Sequence, residues 1–118
     1  MRKAEKDYRL AVQAARSKEP FHDQVCFHCQ QSAEKYLKAL LAELSEPIPR
    51  THILRDVLSL LLPFHPSLRG FGRGLRFLTR FAVDTRYPGD NATKRQAEAA
   101  LGWADRVRQM ARAILGLR

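Results

Sequence analysis

Apolar residues return every three or four positions along nearly the whole chain, and proline, glycine and serine clusters cut this pattern into five segments. Stripes with that period can be buried together only on packed helices. No stretch alternates apolar and polar residues as a half-buried strand would.

The first segment carries Ala4, Tyr8, Ala11 or Val12 and Ala15, and stops before Ser17-Lys18-Glu19-Pro20. The second begins between Pro20 and Asp23 and runs to about Leu44, where Ser45-Glu46-Pro47-Ile48-Pro49 ends it. A short third helix is expected with Thr51 as its cap, Ile53, Leu54, Val57, Leu58 and Leu61 on its core side, and Pro63 after it. Phe64-His65-Pro66-Ser67 reads as a loop. Leu68, Phe71, Leu75, Leu78 and Ala82 trace a fourth helix. Gly70, Gly72 and Gly74 weaken its start by about 1 kcal/mol each relative to alanine, so its firm part is expected from Gly74 to Asp84, ahead of Pro88-Gly89-Asp90. The fifth opens on Thr93-Lys94-Arg95-Gln96, a capping box, with Ala97, Ala100 or Leu101, Ala104, Val107, Ala111 and Ile114 facing the core. The expected fold is all-α: an up-and-down antiparallel bundle of four to five helices forming one domain over residues 1–118.

The second segment carries more than a core stripe. Beside Cys29, Ala33, Tyr36 or Leu37, Leu40 and Leu44 runs a polar stripe of His28, Gln31, Lys35 and Lys38, with Gln24 a turn earlier. Imidazole, amide and ammonium groups at this regular spacing suggest a helix that packs on one side and meets a polar partner on another.

Charge narrows the choice of partner. With 21 Lys and Arg against 12 Asp and Glu, the formal net charge is +9, which attracts nucleic acid, nucleotides, acidic proteins or anionic membrane surfaces. Arg69, Arg73, Arg76 and Arg80 recur at helical spacing, where four guanidiniums repel one another unless anions neutralise them; phosphate is the natural anion. The alternative is a solvated cationic face without a specific ligand. Arg86-Tyr87-Pro88 is expected at a rigid helix exit, because proline disfavours helical geometry at the residue before it. Arg86 there would bind phosphate, or simply cap carbonyls.

Other chemistry is thinly represented. Cys26-Phe-His-Cys29 lacks the second ligand pair that zinc needs and the strand that precedes a redox motif, so no metal site is expected and both thiols are assigned to the core. Gly70-Phe-Gly-Arg-Gly74 has no following Gly-Lys-Ser/Thr and is not a phosphate loop. No catalytic triad or carboxylate pair can be assembled, and no cofactor is implied. Charged residues follow Met1-Arg2-Lys3, so neither signal peptide nor membrane span is expected, and the expected compartment is the cytoplasm.

Three segments in order carry a resemblance. Cys-Phe-His-x-Gln-Gln-x-Ala-Glu-Lys-x-Leu-Lys-Ala-Leu-Leu at 26–41, Pro49-Arg50-Thr51-His52-Ile53-Leu54 and Thr85-Arg86-Tyr87-Pro88 together resemble the HEPN domains (higher eukaryotes and prokaryotes nucleotide-binding), over nearly the whole length. The resemblance implies a helical bundle that pairs into a homodimer, often encoded beside a minimal nucleotidyltransferase in arrangements that include toxin–antitoxin pairs. Active members of the family are ribonucleases that use Arg, four to six residues, then His. Here Arg86 is followed, at that distance, by Asn91, and no histidine occurs after His65. An amide cannot exchange a proton near neutral pH, which implies binding without nuclease chemistry. The expected ligand is nucleotide or RNA, with Lys35, Lys38 and Arg86 on phosphate, Tyr87 stacking or packing, and His28 and Gln31 giving directional hydrogen bonds. Two alternatives stand beside this: a metal-independent ribonuclease with His28 or His52 as base, and an interaction module for an acidic protein.

Overall fold

The computed structural model describes residues 2–82 and 91–117, and among these it is all helical. The helices are α1 (Arg2–Ala15), α2 (His22–Glu43), α3 (Leu54–Leu61), α4 (Gly72–Thr79) and α5 (Lys94–Ile114), with a 3₁₀ segment at Pro66–Phe71. Helix α2 touches each of the other four. Its Val25, Cys26, Cys29, Ala33, Tyr36, Leu37, Leu40 and Leu41 are all buried, so its apolar stripe is the spine of the core.

Side-chain pairs fix the directions. Ser32 Oγ donates to the Ala4 carbonyl at 2.9 Å and His28 meets Asp7, so α1 and α2 run antiparallel. Tyr8 donates to Asp105 and Glu5 meets Arg108, so α1 and α5 are antiparallel too. Helices α2 and α5 therefore run the same way, and their starts are tied where Asp23 Oδ1 accepts the Ala92 N–H at 2.6 Å. This is the helical bundle that the periodicity predicts. The capping box of α5 is also as expected: Thr93 Oγ1 accepts the Gln96 N–H, and Gln96 Oε1 accepts the Thr93 N–H.

Several expectations are corrected. Thr51 does not cap α3; its Oγ1 accepts the Ile53 N–H two residues on, in a local turn. The first N–H of α3, at Leu54, is satisfied from outside by Thr79 Oγ1 at 3.1 Å. Ile53 is consequently outside the core, 51% exposed, and Ile114 at the frayed end of α5 is 38% exposed. The fourth helical stretch starts earlier and stops sooner than Gly74 to Asp84. Pro66 opens a 3₁₀ turn where a loop is expected, α4 follows at Gly72, and it ends at Thr79.

Gly74 has a steric reason to lack a side chain. A Cβ there would sit 2.1 Å from Trp103 Cδ2 on α5, whereas one at Gly72 would meet nothing within 4 Å. Gly74→Ala is therefore expected to lower stability by about 1–3 kcal/mol through overpacking, despite alanine's better helix propensity. Gly72→Ala should be neutral or stabilising, and urea denaturation of the two variants checks the contrast.

Glu5 staples α1 to both long partners. Arg108 donates to it through Nε and Nη2, Arg112 lies 3.8 Å away, and the buried Tyr36 hydroxyl donates to the same carboxylate. The Arg108 hydrogen bonds, opposed by partial burial and aided by Tyr36 and the charge of Arg112, hold its carboxyl at about 2 instead of 4.5. A depressed carboxyl stabilises the fold above its unfolded value, and this stabilisation fades as pH falls from about 4.5 towards about 2. Glu5→Gln should cost about 1–3 kcal/mol at neutral pH and flatten the acid limb of a thermal-stability profile in that window.

Candidate functional site

Two carboxylates on the α2 side of the bundle organise its polar groups. Asp7 stands three residues after Ala4 and four before Ala11, and all three are buried. Its Oδ1 lies 2.9 Å from His28 Nδ1, and its Oδ2 forms an ion pair with Lys35. Half of the polar stripe is thus engaged by α1 inside the fold. The other half is held within α2: Gln31 Nε2 donates to Gln30 Oε1 at 2.7 Å, and Lys38 Nζ donates to Glu34 Oε2 at 3.1 Å.

Glu34 is the second carboxylate, only 6% exposed. Besides Lys38, it accepts Gln30 Nε2 at 3.0 Å and faces His52 Nδ1 at 2.8 Å, both on Oε1. Burial alone would raise its carboxyl, but hydrogen bonds from His52, Gln30 and Lys38 outweigh that and hold it below the ordinary carboxylate range. An ionised carboxylate only accepts, so His52 must carry a proton on Nδ1. In the neutral imidazole Nε2 then keeps its lone pair, on a side chain that is 64% exposed. The Gln30 amide also reaches the His52 carbonyl at 3.3 Å, so ring and backbone are both fastened to α2.

The two histidines considered as bases differ accordingly. His28 is 26% exposed and pairs with a carboxylate that already holds Lys35, whereas His52 presents its second nitrogen on an open side chain. Glu34 and Asp7 were absent from the expected site residues. Asp7 could have been found as an acid in the apolar register of α1. Glu34 stands four residues from both Gln30 and Lys38, but its partner His52 is eighteen residues away and no local spacing announces it. His22 was also passed over; it lines a recess of about 370 Å³ with Phe21, Asp23, Gln24 and Asn91.

Arg69, Arg73, Arg76 and Arg80 are all exposed, though not on one regular helix. Arg69 belongs to the 3₁₀ segment, Arg73 and Arg76 to α4, and Arg80 is its C-cap, packed near the rings of Phe77 and Phe81. Arg86, Tyr87 and Pro88 lie outside the described residues. The Cys26-Phe-His-Cys29 tract does not converge on one point: both thiols are buried, while His28 turns to Asp7. Burial, with Cys26 alongside, pushes the Cys29 thiol well up, so it stays protonated and unreactive. No helix among the described residues is long and apolar enough to cross a membrane.

Comparison with protein families decides the relationship. The HEPN domain profile matches residues 1–114, nearly the entire chain. The chain belongs to the HEPN family. No curated protein and no solved structure matches it. In this HEPN domain the 26–41 tract and the 49–54 tract, noted separately in the sequence, meet at the Glu34–His52 hydrogen bond.

The hydrogen-bond geometry sets an order of stability effects. Glu34→Ala strands the buried Gln30 amide as well as Lys38, and should cost about 1–3 kcal/mol. His52→Ala removes an exposed ring and should cost about 1 kcal/mol or less. Denaturant midpoints of the two variants check the ranking.

Proposed function

We propose that this HEPN domain binds nucleotide or RNA through phosphate, acts as a homodimer, and serves as the accessory partner of a minimal nucleotidyltransferase in a toxin–antitoxin-like module. The observation carrying the binding reading is the division of its cations. Lys35 and Lys38 are paired with internal carboxylates, while Arg69, Arg73 and Arg76 project from the 3₁₀ segment and α4 into solvent. Guanidinium groups are suited to phosphate because their donors match two of its oxygens at once. For Lys35, Lys38, His28 and Gln31 to reach phosphate they must share it with, or leave, the partners they hold. Arg86 and Tyr87 remain part of the proposed surface on sequence grounds. With Asn91 at the position where the family's nuclease motif has histidine, that motif has no proton-transfer group, and the role proposed is binding.

Fluorescence anisotropy with a labelled short single-stranded RNA, and competition by ATP, tests this. Reversing Arg69, Arg73 and Arg76 together to Glu should weaken binding at least about tenfold and reduce the salt slope by ~2, at about 0.7 per phosphate contact on a single strand. The RNA should remain intact. Binding that ignores the triple substitution would remove this face from the site.

A further inference from the structure

Helix α5 carries arginines of two kinds. Arg108 and Arg112 turn to Glu5 on α1 and are matched there. Arg106 is exposed, its guanidinium stands 4.8 Å from the centroid of the Trp103 ring, and among the described residues it holds no ion pair. The acids of α5 lie elsewhere: Asp105 meets Tyr8 and Gln109, and Glu98 lines a recess with Lys18, Phe21 and Lys94 near the helix start. Trp103 is itself fixed by α4. The space that a Cβ on Gly74 would need is taken by Trp103 Cδ2, a ring-fusion carbon bonded to three ring neighbours, so the Gly74 backbone packs on the face of the indole. These two contacts hold the Arg106 guanidinium within about 10 Å of the Gly74 backbone, beside the helix that presents Arg73 and Arg76.

We infer that Arg106 is a further phosphate-binding residue for single-stranded RNA, held in place by stacking on Trp103, and that it carries the cationic face of the 3₁₀ segment and α4 across the seam onto α5. The inference rests on the phosphate-binding reading above and extends its surface to a third element. Stacking engages the guanidinium through its flat face and leaves its N–H groups directed outward in the plane of the group. A phosphodiester can therefore accept from a pair of them without lifting the arginine off the ring. An arginine matched to a carboxylate would first have to leave or share that partner, as Arg108 and Arg112 would with Glu5. Stacking also removes in advance part of the side-chain freedom that an exposed arginine loses on binding, which lowers the cost of engaging it. Access is open along α5: a Cβ on Gly102, next to Trp103, would meet nothing within 4 Å.

Trp103 is the single tryptophan of the chain, so its fluorescence reports on this spot alone. Iodide, an anion drawn to Arg106, should quench Trp103 at least about twofold less once a short oligouridylate saturates the protein, because the bound phosphates cover the spot and repel it. In fluorescence anisotropy Arg106→Ala, an exposed substitution, should weaken oligouridylate binding at least about fivefold and lower the salt slope by about 0.7, the value of one phosphate contact on a single strand. Arg106→Lys should recover most of that slope, since the charge remains, and should bind more weakly than wild type because an ammonium lacks the planar fork. In Trp103→Leu, if folded by circular dichroism, adding Arg106→Ala should cost less than about half of what it costs in wild type, because the arginine is no longer held. The inference is overturned if iodide quenching is the same with and without saturating RNA, or if Arg106→Ala keeps the wild-type affinity and slope. Weaker binding at an unchanged salt slope would make Arg106 a support of the fold and not a phosphate contact, and overturns it too. Preferential, Arg106-dependent binding of an acidic peptide over the RNA would overturn it in favour of a protein partner. RNA binding that responds to the triple arginine reversal but not to Arg106→Ala defeats this inference alone. Absence of RNA binding by the wild-type protein defeats the phosphate-binding reading as well.

Discussion

A carboxylate buried in the middle of the helix that every other helix touches is costly, and three donors meet Glu34 there. Two of those donors come from its own helix at four-residue spacing. The third, His52, belongs to the connector before α3, so satisfying the charge also fixes where that connector crosses α2. From there the Leu54 to Thr79 hydrogen bond fixes α3 against α4. The position of α3, and of the α4 helix fastened to it, thus depends on neutralising one acid on α2.

The same economy runs through the rest of the bundle. Glu5 is matched to Arg108, Arg112 and Tyr36, and Asp7 to His28 and Lys35. In a chain with 21 Lys and Arg and only 12 acids, placing acids in the seams between helices uses them as structural anchors and leaves the outer surface with a cationic excess. Polyanion binding is then a property of what remains outside, and the exposed arginines of the 3₁₀ segment and α4 are its clearest carriers.

Helix existence was legible because apolar period and punctuation agree at each long element: α1, α2 and α5 lie where the stripes put them, and the Thr93 cap is visible four letters at a time. The short elements were less so. Thr51 looks like a cap, yet the N–H of α3 is met by Thr79, twenty-five residues away. Glycine counts predict a weak start to the fourth helix but not that Trp103 needs the space at Gly74. The polar stripe on α2 was correctly seen as a face that meets polar groups. What it meets within the fold is local for Lys38, whose partner Glu34 is four residues away, whereas His28 and Lys35 meet Asp7 at twenty-one and twenty-eight residues, which periodicity does not encode.

Glu34 holds the proton of His52 on Nδ1, and the placement of the connector and of α3 turns on that contact. Long-range ¹H–¹⁵N correlation spectra of the histidine side chains, recorded at a pH where the ring is neutral, report the tautomer directly. The account predicts His52 as the Nδ1–H form, shifting towards the more common Nε2–H form in Glu34→Gln. An Nε2–H tautomer in the wild-type protein would contradict it.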